Sequence, residues 1–253
     1  MNIKIPEYAL RAVRVLESAG FSAYFVGGCV RDSLLGNPPA DWDIATNALP
    51  EQVKAAFRGY TVVDTGLKHG TVTVVSDYHN LEITTYRIDG DYSDSRRPDS
   101  VIFTADLHED LKRRDFTVNA MAYHPEQGLV DDWGGKRDLK EKVLRCVGDP
   151  EQRFKEDALR ILRGLRFAAV LGFSIEPKTE TALRQKRGLL SNISGERIRE
   201  ELGKKKTLDG ALTNGFKMGL TPIIDGNVTI VIVAALLMGA FGPTDGFWGK
   251  VFN

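Results

Sequence analysis

Asp41 and Asp43 stand two apart in a stretch, 41–46, that carries strand signals. Successive side chains alternate faces on a strand, so the two carboxylates point the same way and offer the hard oxygen ligands that Mg²⁺ takes. Upstream, Tyr24-Phe-Val-Gly-Gly-Cys-Val-Arg-Asp32 reads as a strand, a Gly-Gly turn and a short helix. Gly27 and Gly28 fall at the handover, where bare backbone N–H groups and a helix N-terminus can come close to a triphosphate. A phosphate cradle beside a carboxylate pair is the minimum equipment for nucleotidyl transfer, in which two cations activate a hydroxyl and steady the departing pyrophosphate. Either half alone has an ordinary reading, as a turn before any helix or as an exposed strand edge. The two in this order, with Arg31-Asp32 between them, carry the chemical one.

Three further groups could join this chemistry. In Leu81-Glu-Ile-Thr-Thr-Tyr-Arg87, Glu82, Thr84 and Tyr86 share one strand face, which makes Glu82 either a third metal carboxylate or an ordinary solvent-facing side chain. Arg113, Arg114 and Asp115 cluster beside an apolar run, with Asn119 about one helical turn after Asp115. Guanidinium groups clamp phosphate oxygens in a bidentate way, and Asp and Asn suit sugar hydroxyls; the plain alternative is a solvated charge cluster. Asp157 and Arg160 are three apart on the polar face of a predicted helix whose apolar stripe is Phe154, Ala158, Ile161, Leu162, Leu165 and Ala168. They form either an intrahelical ion pair worth ~0.2–0.5 kcal/mol or a base reader. A carboxylate acceptor beside a guanidinium donor complements an exocyclic amine beside a ring nitrogen, the edge that cytosine and adenine share. Guanine and uracil put a carbonyl where the amine should be, leaving the carboxylate facing an oxygen, so they are rejected.

The elements that must position these residues alternate in type. A helix over 7–19, with Ala9, Leu10, Val13 and Leu16 at helical spacing, is stopped by Gly20. Strand signals follow at 22–27 and 41–46, a helix over about 50–57, then strands at 61–64, 71–76 and 81–87. Residues 88–100 are polar, rich in turn formers and aperiodic, which predicts a mobile loop. From Phe154 the pattern is helical, through 177–190 and again after Ser194, a plausible N-cap. The fold class is therefore α+β: a mixed sheet with flanking helices, then a helical segment.

A chain of 253 residues suffices for one large domain or two modest ones. Net charge is zero but unevenly spread: residues 1–150 hold 18 basic and 23 acidic side chains, and residues 151–206 hold 14 and 8. An acidic metal site next to a phosphate-binding surface has that asymmetry, as do two solvated helical faces. Cys29 and Cys146 have no zinc or disulfide spacing, which fits a reducing cytoplasm, and the four histidines lack metal-ligand spacing. The N-terminus has no apolar run long enough for a signal peptide.

Gly-Gly-x-Val-Arg-Asp followed by Asp-x-Asp resembles the first motif of the class II tRNA nucleotidyltransferase and bacterial poly(A) polymerase family. Arg113-Arg-Asp-Phe-Thr-Val-Asn-Ala-Met-Ala122 resembles the second motif, and Asp131-Asp-Trp-Gly-Gly-Lys-Arg-Asp-Leu139 the third, a structural hinge between head and neck. Glu156-Asp-x-x-Arg160 resembles the base-reading motif and Ser194-Gly-Glu-Arg-Ile-Arg-Glu-Glu-Leu202 the fifth, so the resemblance covers about residues 20–202. It implies a Mg²⁺-dependent enzyme that adds CCA to the tRNA 3′ end from CTP and ATP, with a nucleotidyltransferase head over 1–145 and a helical neck over 146–202. Asp41 and Asp43 would be catalytic and hold metal; Gly27, Gly28, Arg31, Arg114, Asp115 and Asn119 would bind triphosphate and sugar. Asp157, Arg160 and Arg163 would read the base. The 88–100 loop resembles the one that helps the family accept ATP after CTP. A poly(A) polymerase or A-adding enzyme is the near alternative, and a nucleotide-binding module without turnover or a membrane-export fragment the distant ones.

After residue 202 the resemblance stops where the family continues into body and tail domains. Residues 203–253 instead resemble part of the protein-export membrane protein SecD, with Asp225-Gly-Asn-Val-Thr229 ahead of an apolar run. Residues 228–241 would be ~21 Å long as a helix against a hydrocarbon core of ~30 Å, so membrane association would need more of 222–242. SecD-type chains also carry a stretch like 196–202, which makes those residues a candidate seam and the chain a candidate chimera.

Overall fold

The computed structural model describes residues 3–90, 92 and 100–202. Helix α1, Glu7–Ser18, opens the chain and buries Ala9, Ala12, Val13 and Leu16 on one face. Gly20 ends it in the left-handed region at φ 87°, and the Phe21 N–H donates back to the Leu16 carbonyl at 3.0 Å. Strand β1, Ala23–Val26, runs through Gly27 into α2, Gly28–Leu34; β2, Ile44–Thr46, and α3, Pro50–Ala56, follow. Then come β3, Thr61–Gly66; β4, Thr71–Ser76; and β5, His79–Thr85. A ribbon of β6, Arg87–Asp89, and β7, Val101–Phe103, precedes α4, Leu107–Lys112. The hairpin β8, Ala122–His124, and β9, Gly128–Val130, leads to α5, Gly135–Glu141.

Seven strands form one sheet in the order β3-β4-β5-β2-β1-β8-β9. The β2–β5 pair is parallel and its neighbours are antiparallel, so the sheet is mixed, as expected. Phe25, Ile44, Ile83 and Val72 fill one face with Leu16 of α1 and Val53 of α3. Leu16 is fully buried, and truncating such a side chain to Ala costs ~2–5 kcal/mol. The opposite face is smaller, with Val26, Ala45, Ala122, Tyr86 and Leu111.

The C-terminal half begins with β10, Val143–Leu144, which pairs with β11, Ser174–Ile175. Its helices are α6, Pro150–Glu156; α7, Leu159–Leu171; α8, Pro177–Lys186; and α9, Gly195–Leu202. Phe154, Ile161, Leu165, Ala168 and Leu183 join the same apolar cluster as the sheet, so the helices and the sheet share one core.

Several expectations need correcting. The aspartates precede the strand, which starts at Ile44, although the Asp43 carbonyl already accepts from the Val26 N–H at 3.1 Å. The single helix expected from Phe154 is two. Asp157 is extended, at φ −137° and ψ 105°, and its carboxylate accepts from the Leu159 N–H at 3.0 Å, capping a new helix rather than continuing the old one. The helix expected over 177–190 ends at Lys186 and tightens into a 3₁₀ turn, Arg187–Asn192. Residues 88 and 89 of the expected 88–100 loop belong to strand β6, and the mobility expected of the loop concerns residues that lie mostly outside the described ones. The SecD-like tail, 203–253, lies wholly outside them. Among the described residues, no helix is long and apolar enough to cross a membrane.

Candidate active site

A cavity of about 570 Å³ opens between the sheet and α7, and it gathers almost every residue singled out in the sequence. Gly27, Gly28, Arg31, Asp41, Asp43, Arg114, Asp115, Asn119, Asp157, Arg160 and Arg163 all line it. Of the expected site residues only Glu82 is not in its wall.

The acidic side is built by alternation. Trp42 is buried with its ring against Phe25, centroids 5.2 Å apart, so its neighbours Asp41 and Asp43 both face the cavity. Ile44 pairs with Ile83 in parallel, and one residue back along that register Glu82 lies beside Asp43. Burial, then the charges of Asp41 and Glu82, push the Asp43 carboxyl up to about 7, with Arg114 opposing. A buried carboxyl raised in this way, with a second carboxylate facing the same cavity, offers oxygen donors of the kind a divalent cation takes. Glu82 itself is exposed, and among the described residues no three His, Cys, Asp or Glu side chains cluster closely enough to be a ready-made metal cage.

Gly27 joins the two sides. Its φ of 73° and ψ of −123° belong to glycine, and a Cβ there would stand 3.0 Å from Arg114 Nη1. Arg114 is in turn held by the fully buried Asp110 through a 3.1 Å bond, while its Nε is buried with no acceptor among the described residues. α2 is only seven residues long, so the glycines contribute close backbone approach more than a helix dipole.

The opposite wall is a network. Asp115 accepts from the Phe116 N–H at 2.7 Å, Asn119 Nδ2 at 3.1 Å and Arg163 Nε at 2.8 Å. Burial alone would raise its pKa, but the Arg163 charge and these hydrogen bonds hold it down at about 2. Asn119 Oδ1 accepts from Arg31 Nη1 at 2.6 Å, and Arg31 also grips Asp32 through Nε and Nη2 at 2.8 and 3.0 Å. The Asp115–Asn119 contact expected from spacing is present, carried by a 3₁₀ turn, Thr117–Asn119, in place of an α-helical one.

The base-reading pair is arranged differently from the expectation. The helix break at Asp157 separates it from Arg160, and the two side chains take other partners. Asp157 accepts from Arg197 Nη2 of α9 at 3.2 Å. Arg160 donates to Glu156 at 2.6 Å and to the carbonyls of Arg153 and Arg113 at 3.2 and 2.9 Å. Arg113, which the sequence places in the charge cluster with Arg114 and Asp115, also lines the cavity, as do Arg166, Phe167 and Arg197, which the sequence reading does not single out. The available signal was the three-residue repeat Arg160, Arg163, Arg166, which places three guanidinium groups on neighbouring positions of one helix.

Comparison with known proteins bears on the whole cavity. The poly A polymerase head-domain model matches residues 23–145, and a model described as the probable RNA and SrmB-binding site of polymerase A matches 172–205. Over residues 23–145 the chain is similar to the poly A polymerase head-domain family. The chain is similar to a CCA-adding enzyme from Lactobacillus delbrueckii subsp. bulgaricus, 52% identical over 206 residues, which are 80% of this chain and 52% of that protein. The chain spans about half the length of the curated relatives it matches. Among solved structures it is similar to the Bacillus stearothermophilus CCA-adding enzyme in complex with CTP, with a TM-score of 0.76, 43% identity and coverage of 90% of this chain and 57% of that one. A tRNA nucleotidyltransferase complexed with a primer tRNA and an incoming ATP analog aligns with a TM-score of 0.64 at 33% identity, covering 85% and 63%. The RNA-binding model runs through residues 196–202, so the proposed seam gains no support from these matches, nor does the SecD assignment or membrane association.

Proposed function

We propose that the chain is a tRNA nucleotidyltransferase that uses Mg²⁺ to add CCA to tRNA 3′ ends from CTP and ATP. The observation that supports it best is the convergence of the paired aspartates, the glycine turn and the arginine wall on one cavity large enough for a nucleotide. In this reading the head, 1–145, holds metal and phosphates, and the neck, 146–202, reads the base. The two buried free thiols, Cys29 and Cys146, suit a cytoplasmic setting.

Asp41 and Asp43, with Glu82 beside them, would hold the cation. When bound, Mg²⁺ supplies Lewis-acid activation of the tRNA 3′-hydroxyl and neutralises charge on the leaving pyrophosphate. Gly27 and Gly28 leave the backbone bare for the phosphates, and Arg31 and Arg114 supply guanidinium donors to their oxygens. The buried Arg114 Nε without an acceptor fits a wall that is completed by a ligand. Asp115, ionised at every physiological pH, and Asn119 orient the sugar while fixing Arg163 and Arg31. Asp157 offers its carboxylate to the exocyclic amine of cytosine or adenine, and Arg160 or Arg163 donates to the ring nitrogen; Arg197 and Glu156 hold this pair in place before the base arrives.

The test is extension by the full chain of a tRNA ending before CCA, with labelled CTP, ATP and UTP. The expected product gains C, C and A. Asp157→Ala and Arg160→Ala should each lose roughly tenfold or more of the preference for CTP over UTP, and an unchanged preference in both would overturn the base-reading role. Incorporation of A alone would identify a poly(A) polymerase or A-adding enzyme, and nucleotide binding without extension a binding module.

A further inference from the structure

Phe167 of α7 is 6% exposed, yet it lies in the cavity wall with three guanidinium groups around its ring. Arg166 Cζ stands 4.1 Å from the ring centroid, and the Cζ atoms of Arg31 and Arg163 each stand 5.2 Å from it. Arg31 comes from α2, on the sheet side, and the other two from α7. Three cations so close repel one another. Each has its own carboxylate: Asp32 at 2.8 Å for Arg31, Asp115 at 2.7 Å for Arg163, and Glu201 at 2.5 Å for Arg166. Glu201 also reaches Arg163 at 4.0 Å, but none of these carboxylates is paired with all three guanidiniums. The group that all three share is the ring, whose negative face attracts cations.

The ring is itself fixed. It meets Phe116 edge to face at 6.0 Å and 80°, and Gly164 lets α7 approach that neighbour, since a Cβ there would stand 3.1 Å from Phe116 Cζ. All three arginines line the cavity, whereas Asp32 and Glu201 do not, so two of the three counter-charges sit behind the cations they hold. Guanidinium forks held in fixed planes are what several adjacent phosphate oxygens require.

We propose that Phe167 is a positioning residue: its ring gathers Arg31, Arg163 and Arg166 into one wall that favours a chain of phosphates over a single phosphate. The proposal rests on the nucleotide reading only in taking that chain to be a nucleoside triphosphate's. The probes are inorganic tripolyphosphate, CTP and CMP, titrated calorimetrically against the full chain and its Phe167→Leu and Phe167→Tyr variants. Leu keeps apolar bulk and removes the ring; Tyr keeps the ring. Phe167→Leu should weaken tripolyphosphate and CTP by roughly fivefold to twentyfold and CMP by less than about threefold. Phe167→Tyr should stay within about twofold of the parent for all three. A parent-like ratio of triphosphate to monophosphate affinity in Phe167→Leu overturns the proposal, as does an equal loss in both variants, which would mark the ring as packing alone. If the parent binds tripolyphosphate but not CTP, the nucleotide reading fails and the arginine wall stands. If it binds CTP and Phe167→Leu changes nothing, the reverse holds; a parent that binds neither counts against both.

Discussion

Asp43 and Asp115 are the same residue type in the walls of one cavity, and their environments drive them in opposite directions. Asp43 sits with Asp41 and Glu82, and burial together with those charges pushes its carboxyl up to about 7. Asp115 is more deeply buried, yet Arg163 and Asn119 hold it at about 2. One wall is a set of like charges short of a counter-ion, and the other has its charges matched in place. The difference separates what the fold supplies from what it leaves unmet: the arginine wall is organised in advance, whereas the carboxylate wall carries a charge penalty that a proton relieves and that, on the proposed function, a cation would relieve.

Replacing Asp43 tests the first wall and has the largest expected effect. On the proposed function, Asp43→Asn should lower nucleotide transfer by roughly 10³-fold or more, because a metal held there would contribute several kcal/mol. The same change should stabilise the metal-free chain at pH 8 by about 1–3 kcal/mol, because it removes a charge that the fold disfavours. Since the folded pKa lies above the unfolded one, the penalty is absent below about pH 4 and is complete only above about pH 7. Denaturant melts with chelator across that range should show the gain growing with pH; a variant less stable than the parent at pH 8 would remove the contrast between the walls.

Asp115→Asn tests the second wall and should act in the opposite sense. Among the described residues it leaves Arg163 with the 4.0 Å contact to Glu201 as its remaining ion pair and should cost about 3 kcal/mol near neutral pH. The folded pKa lies below the unfolded one, so the parent's extra stability is present above about pH 4 and is lost as pH falls toward 2. Urea unfolding of parent and variant should therefore converge at the acid end. A loss below about 0.5 kcal/mol at pH 7 would mean that Arg163 is satisfied elsewhere.

The two walls were unequally legible in the sequence. Period-two alternation placed Asp41 and Asp43 on one side of the chain and Trp42 on the other, which needs only local geometry. The Gly-Gly turn was legible for the same reason, because few other residues adopt the backbone of Gly27. The arginine wall depends on contacts across long separations, such as Arg163 to Asp115 and Arg197 to Asp157, and spacing along the chain says nothing of those. Helical periodicity also ran past Asp157, because Phe154, Ala158 and Ile161 remain buried even though the helix between them is interrupted. A carboxylate that caps the next helix outweighed the stripe there. Hairpin β8–β9 was missed since its strands are only three residues each, too short for alternation to register.

A third carboxylate measures how much of the contrast is due to burial. Asp132, ahead of α5, is hydrogen-bonded to His108 Nδ1 of α4, with side chains 36% and 63% exposed. That hydrogen bond, then the Asp132 charge, raises the His108 pKa above 6.5, the same kind of pairing that binds Arg163 to Asp115 but placed in water. Solvent screening keeps such a pair below about 0.5 kcal/mol. Because the folded histidine pKa is raised, its small stabilisation is present in full below about pH 6.5 and fades as pH rises through the folded value. Asp132→Asn should bring the His108 titration, followed by its ring proton resonances, down to the ordinary range while leaving unfolding nearly unchanged. A destabilisation as large as that of Asp115→Asn would mean that pairing alone, without burial, accounts for the strength of the arginine wall.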